Sequence, residues 1–340
     1  MDHGEDSDHA TATVPAAPPP GPRLHDAVEW ALRAPSLHNS QPWRWRIGAD
    51  GVALYADPLR RLPETDPDRR DLVISCGAAL HHLQVALAAA GAAVRVDRFP
   101  DPEDEQLLAT VRPVPGAADA RAAALWPALG RRRTDRRRYA TDPVPASTWT
   151  ALGEAARERG ATLVPVTGPA RRAALDDVLA RAADQQRRRP GYLAELMSWT
   201  HRLAGARDGI PATARPARPA PRGADPNRAF PQGRLAAAGA GAAAGDGAVL
   251  AVLCTPGDTG PDRLRAGEAT SAVLLTAVAA GLATAPLSQA LELPSTRSLL
   301  ARDVLHVDSR PQLVVRLGFP VDDRELPRTP RRPLAAVLAR

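Results

Sequence analysis

The chain has 340 residues, with 44 basic against 38 acidic side chains, a net charge of +6, 44% apolar residues and only 4% aromatic ones, which is enough for one large core or two modest ones. No lysine occurs, so all the basic side chains are arginine; the basic excess is spread along the chain, and together with the scarcity of aromatics this argues against a nucleic-acid-binding protein. Cys76 and Cys254 lie far apart, giving neither a disulfide framework nor a zinc site, and point to a reducing, cytoplasmic setting.

Residues 1–22 open acidic and run into a proline-rich stretch with no basic region followed by an apolar one, so the sequence predicts a disordered tail and no secretory signal. Apolar residues at helical spacing follow from His25 and stop at Pro35, because the residue before a proline is pushed out of the α region. WRWRIGADGVALYAD, beginning at Trp43, alternates around a Gly-Ala-Asp-Gly turn and reads as a hairpin. A helix over 72–93 closed by Gly91 and a strand at 94–96 come next.

After Leu125 an arginine cluster begins, followed by a helix over 149–159 and a strand over 161–167. Residues 171–204 are helical in period apart from the Pro190-Gly191 break. The stretch 205–247 is dominated by Pro, Arg, Gly and Ala and reads as an insertion or lid. A strand at 248–255, a helix over 261–281 and a strand at 312–319 complete the pattern. The longest apolar stretch, 271–287, is short for a bilayer span and reads as a buried helix, so no membrane segment is predicted.

GAALHHLQVALAAAG (77–91) and GEATSAVLLTAVAAG (267–281) carry a glycine at each end of equally long helical segments. The paired glycines predict a fused duplication, with a first half over 23–124 and a second over 125–340.

Three segments carry candidate chemistry. In APSLHNSQPWRW (34–45), Pro35 fixes the backbone while Ser36, Asn39 and Gln41 supply compact neutral donors and acceptors suited to the polar edge of a planar heterocycle; the same residues would serve equally as a helix-capping turn. In the run from Arg131 to Arg138, the guanidinium forks of Arg132, Arg133 and Arg136 with the Thr134 hydroxyl suit a phosphate, or form a solvated charge run. Near the C-terminus Arg328, Arg331 and Arg332 read as a solvated tail. His81 and His82 occupy adjacent helical positions pointing apart, without a further ligand at metal spacing, so no metal site is expected. Nucleophile elbows, dinucleotide-binding glycine fingerprints and phosphate-binding lysine loops are all missing.

Taken in order, APSLHNSQPW, RRRTDRR, CTPGDT, RLRAGEATSAVLLTAVAAGLATAPLSQ and PQLVVRLGFP resemble the FMN-binding nitroreductase superfamily, specifically its Acg-type branch, over most of residues 23–335. The resemblance implies an α+β sandwich with a central mixed sheet, and a single chain whose two half-repeats imitate the family's intertwined homodimer, acting as a monomer with one FMN. It implies that Arg132, Arg133, Thr134 and Arg136 meet the phosphate and ribityl chain, with Arg331 or Arg332 adding a basic contact. Pro35, Ser36, Asn39 and Gln41 would lie on the isoalloxazine side, and Pro286, Leu287 and Ser288 against the ring, where Ser288 and Gln289 stand in place of the Glu-Gly often found in the family.

The chemistry implied is hydride transfer from NADPH or NADH through FMN to a small electron-poor acceptor, a nitroaromatic or a quinone, without a side-chain general base. An alternative is a flavin storage or sequestration protein in which 205–247 closes over the ring; flavin fragmentation is a third reading.

Overall fold

The computed structural model describes residues 24–203, 205–217, 228–231, 233–235 and 246–339. The tail expected over 1–22 and much of the insertion lie outside the described residues.

The first half opens with α1 (Leu24–Ala31), which buries Ala27, Val28 and Ala31. The hairpin β1 (Trp43–Ile47) and β2 (Val52–Ala56) pairs Trp45 with Leu54 and turns where Gly48 N–H donates to the Gly51 carbonyl. Trp43 and Trp45 are fully buried, because alternation along β1 turns both indoles to one face. Helix α2 (Arg70–Ala89) leads to β3 (Ala93–Arg98) and β4 (Leu107–Val114), followed by the short α3 (Ala120–Ala124) and α4 (Trp126–Arg131).

The second half repeats the plan. Helix α5 (Ala146–Arg157) and β5 (Thr162–Val166) precede α6 (Pro169–Arg187) and α7 (Pro190–Thr200), each opened by a proline in its first turn. Then come β6 (Val249–Thr255), α8 (Gly260–Ala279), β7 (Ala283–Leu287), α9 (Pro294–Leu299) and β8 (Arg310–Gly318).

The class is α+β, and two four-stranded sheets are ordered β1-β2-β4-β3 and β5-β6-β8-β7, the same topology twice. The expected mixed sheet requires correction: every strand pair in both sheets is antiparallel, and among the described residues parallel pairing is confined to isolated bridges, Trp45 with Leu338, Thr134 with Thr284 and Pro216 with Leu235. A second correction concerns 271–287, which is not one buried helix. Helix α8 ends at Ala279, Gly281 takes a φ of 80°, and β7 follows at the edge of its sheet, where Pro286 is tolerated.

Helices α2 and α8 cross at the centre of the molecule on the repeat's own glycines. A Cβ on Gly77 would stand 2.0 Å from the Leu264 carbonyl oxygen, and one on Gly267 would stand 2.0 Å from the Ile74 oxygen. The contact is reciprocal, as in a two-fold interface between identical subunits. Gly91 and Gly281, closing the two helices, take φ of 79° and 80°.

His81 and His82, expected to point apart, both place Nδ1 2.8 Å from the Ser271 hydroxyl oxygen. The crossing helix sets one hydroxyl in the angle between consecutive side chains. Among the described residues no group of three or more metal-ligating side chains forms. Of these residues, one helix, Arg70–Ala89, is long and apolar enough to cross a membrane, and 89% of its apolar window is buried inside the fold.

Candidate functional site

A cavity of about 620 Å³ lies where the two halves meet, within the range of small-molecule and cofactor sites. Its wall begins with the loop after α1. Pro35 prevents the helix from continuing, the Ser36 hydroxyl oxygen accepts from Gln41 N–H (3.0 Å), and the Ser75 hydroxyl oxygen on α2 accepts from Leu37 N–H (3.2 Å). His38, Asn39 and Gln41 are held at φ of 49°, 55° and 53°. Three non-glycine residues in the left-handed region within four positions are strain that the surrounding bonds must over-determine.

Those bonds are supplied from far along the chain. Asn39 Nδ2 donates to the Gly209 and Pro330 carbonyls, both at 3.0 Å, and its Oδ1 accepts from Arg331 Nη1 at 2.9 Å. Gln41 Nε2 donates to the Arg207 carbonyl (2.8 Å), while its Oε1 accepts from Arg332 N–H (2.8 Å). Pro35, Ser36 and Asn39 line the cavity, whereas Gln41 is buried behind the wall and does not. The expectation that Gln41 faces a heterocycle is therefore corrected: its amide fastens the insertion and the C-terminal segment to the loop. Asn39 reaches the cavity, but both its amide hydrogens are already engaged.

The arginine run is divided by the second sheet. Thr134 bridges Thr284 of β7, and Asp135 N–H donates to the Thr284 carbonyl at 2.9 Å, fixing the segment in extended form. Asp135 then takes Arg137 into a buried ion pair, with Asp322 as a further partner of that guanidinium. Arg132, Arg133, Thr134 and Arg136 line the cavity.

At one end of it Arg132, Arg133 and Arg331 come together with Arg33 and Arg328. Arg132 is buried, yet its Nε and Nη1 have no partner among the described residues, and neither have the Nε atoms of Arg133 and Arg331. Burial and then Arg133 push Arg132 down to about 10, while burial followed by Arg132, Arg133 and Arg33 pushes Arg331 down to about 9. Carboxylates near this end are few: Glu325 pairs with Arg133 at 3.3 Å, and Glu29 acts on Arg33. Mutually repelling guanidiniums with unspent donors are the arrangement that a phosphate dianion relieves.

Arg332, also in the wall, lies close to Asp57 (3.5 Å), and Pro286, Leu287 and Ser288 line the side contributed by β7. Ser288 Oγ donates to Glu292 (2.6 Å), placing the serine within a buried network with Gln186, Gln289 and Arg228.

Several wall residues were not singled out in the sequence. Asp71, beside Asp66 at the start of α2, has a carboxyl held above the usual range by burial in spite of the adjacent Arg70. The described part of the insertion contributes Ile210, Ala214, Arg228 and Phe230 to the cavity's lining. His38 lies edge-on to Phe230, with ring centroids 6.4 Å apart and planes at 80°. Arg136 donates to the Ala214 carbonyl at 2.9 Å and lies 5.1 Å over the Phe230 ring. The left-handed cluster in the loop has no marker in a sequence lacking glycine there, and Phe230 sits in a stretch without periodicity.

No family model matches the chain. It is 40% identical over 330 residues to a Mycobacterium tuberculosis H37Rv protein named "Putative NAD(P)H nitroreductase Rv3131", covering 94% of this chain and 92% of that protein. It is 35% identical over 323 residues to "Putative NAD(P)H nitroreductase acg" of the same strain, covering 92% and 94%. Among solved structures, the FMN-dependent nitroreductase NfnB from Mycobacterium smegmatis in complex with NADPH is 20% identical, with a TM-score of 0.39 over 63% of this chain and 96% of that one.

Proposed function

The chain belongs to the nitroreductase superfamily, in its Acg-type branch, and from that membership we propose that it is an FMN-dependent oxidoreductase passing electrons from NAD(P)H to a small electron-poor acceptor. The observation that carries this reading is the arginine cluster, with two nitrogens of buried Arg132 and the Nε atoms of Arg133 and Arg331 lacking partners among the described residues, opening on the same cavity as the strained loop that begins at Ser36. With a nitroaromatic the net reaction is ArNO2 + NAD(P)H + H⁺ → ArNO + NAD(P)⁺ + H2O. FMN, when bound, supplies the two-electron chemistry, so the protein's part is to bind, orient and exclude.

In this reading Arg132, Arg133 and Arg331 hold the phosphate, with Arg33 and Arg328 adding charge at that end. Thr134 meets the ribityl chain. Arg136, which lies over Phe230, would hold a positive charge toward the bound cofactor. Pro35, Ser36, Pro286, Leu287 and Ser288 shape the ring's pocket, while Asn39, Gln41 and Arg332 fix the loop that carries it. The residues 23–124 and 125–340 act as the two subunits of a fused dimer, so one chain builds one site as a monomer. Two buried free thiols, Cys76 and Cys254, accord with a cytoplasmic setting.

The test is the visible spectrum of the purified chain, followed by NADPH or NADH without oxygen. A yellow protein that bleaches promptly and recovers its colour with a nitroaromatic or a quinone is the expected result. A colourless chain that takes up no FMN refutes the reading, and bound flavin that stays oxidised replaces it with storage.

A further inference from the structure

Among the described residues His38 is the one histidine in the cavity wall, and three independent features mark it. It is 5% exposed, yet its Nε2 has no hydrogen-bond partner among the described residues. Its backbone stands in the left-handed region at φ 49° and ψ 22°, which a β-carbon makes costly and which the bonds of Ser36, Asn39 and Gln41 maintain. Its ring meets the edge of Phe230, an aromatic residue contributed by the insertion, whose ring also carries Arg136. A buried, strained imidazole with an unused nitrogen, edge-on to the aromatic ring that the insertion adds to the wall, is poorly explained as packing alone.

We propose that His38 binds the electron acceptor, donating a hydrogen bond from Nε2–H to a nitro or quinone oxygen while the acceptor's ring lies against Phe230. This rests on the oxidoreductase reading above and adds to it the residue that selects the acceptor. Nitro and quinone oxygens only accept hydrogen bonds, so the site must donate, and a neutral imidazole does so without bringing in a further charge. The ionisable groups acting on this ring are Arg228 from the insertion and Arg136 from the segment after α4. Both are cations, and with burial they hold the imidazole neutral well below its usual titration range. Arg228 is itself tied to Glu292 and Tyr192, and Arg136 to Ala214, so neither is needed to contact the acceptor.

The experiment measures binding without turnover: nitrobenzene is titrated into the oxidised flavoprotein with no NAD(P)H, read by the flavin difference spectrum. Toluene, of like shape but without the oxygens, is the control. Two variants are compared. His38→Leu removes the donor, and His38→Asn keeps one on a residue that tolerates the left-handed backbone.

The expected result is nitrobenzene affinity about tenfold weaker in His38→Leu, the loss of one buried hydrogen bond, with partial recovery in His38→Asn and toluene affinity unchanged in both. Nitrobenzene affinity of the parent shows no break through the ordinary histidine range near about pH 6.5, because burial and the neighbouring arginines keep the imidazole neutral there. Equal nitrobenzene affinity in all three proteins overturns the assignment, as does an equal loss of toluene, which would show a packing role, or a loss of flavin from both variants, which would assign His38 to the cofactor. A parent chain that binds no FMN overturns the oxidoreductase reading and this assignment together; a yellow parent with an unaffected His38→Leu variant overturns only the latter.

Discussion

At the level of single residues the site divides into groups that meet a ligand and groups that hold those groups in place. Arg132 is of the first kind, with two of its nitrogens unspent under burial. Arg132→Ala should lower FMN affinity by roughly 10- to 100-fold, the worth of a charge-assisted bond of about 1.5–3 kcal/mol, as read by fluorescence titration of the apoprotein. The protein itself should keep or gain thermal stability without ligand, since a buried cation repelled by Arg133 and with two nitrogens lacking partners among the described residues is removed. Asn39 is of the second kind. Asn39→Ala severs the bonds to Gly209, Pro330 and Arg331 at once, so the expected signature is lost thermal stability in the apoprotein together with weaker flavin binding. A variant with unaltered melting would show that the loop is held by other means.

Among the elements, the α2 and α8 crossing decides how closely the halves can approach. Backbone meets backbone there, because Gly77 and Gly267 oppose each other's helices with no room for a methyl group. Gly267→Ala would place a Cβ 2.0 Å from the Ile74 oxygen, and neither partner is a flexible side chain that could yield. The cost should be about 1–3 kcal/mol or more from overpacking, seen as a lower Tm and as flavin loss even though the residue does not line the cavity. If Gly267→Ala melts like the parent, the helices are free to separate and the crossing does not set the cavity's shape.

At the scale of the whole molecule the two halves are interlaced by the chain's last residues. Trp45 N–H donates to the Val337 carbonyl at 2.8 Å, Ala339 N–H donates to the Trp45 carbonyl at 2.7 Å, and Val337 is fully buried in the core of the first half. Ending the chain at Pro333 should therefore lower the stability of the first half, although the residues removed follow the second sheet in sequence. Hydrogen exchange would find faster exchange in β1; unchanged protection there would refute the interlacing.

Acid stability is also a property of the whole fold. His38, His81 and His82 are buried and held well below their usual pKa, first by burial and then by neighbouring arginines. Their folded-state pKa is depressed, so the unfolded chain binds more protons below the ordinary histidine value. Their contribution is thus fully present above about pH 6.5 and is lost as the pH falls toward the folded values. Each can contribute up to about 1.4 kcal/mol per pH unit in that window. Melting from pH 7.5 to 5 should show this decline, and a double substitution of His81 and His82 by Gln should flatten it; an equally steep profile in that variant would place the acid sensitivity elsewhere.

Much of this was legible in the sequence because it depends on neighbours a few residues apart. Proline at 35, alternation around Trp43 and Trp45 and helix-closing glycines at 91 and 281 are local constraints on φ and ψ, and they placed the first helix, the hairpin and both central helices. The repeat of glycines 14 positions apart gave the duplication. Strands β4 and β7 were not foreseen, since each contains a proline and is held chiefly by partners elsewhere.

The sequence by itself determined most of the elements, the duplication and the family, because these follow from local periodicity and from motifs carried in order. The tertiary structure alone decided which polar groups are spent and which remain available. Asn39 and Gln41 have the same chemistry as any site amide until Gly209, Pro330 and Arg332 arrive from 170, 291 and 291 residues away to engage them. His38 is an unremarked residue until burial removes its water and leaves one nitrogen without a partner. Hydrogen-bond satisfaction and desolvation depend on everything packed around a group, and that surrounding is set by the fold.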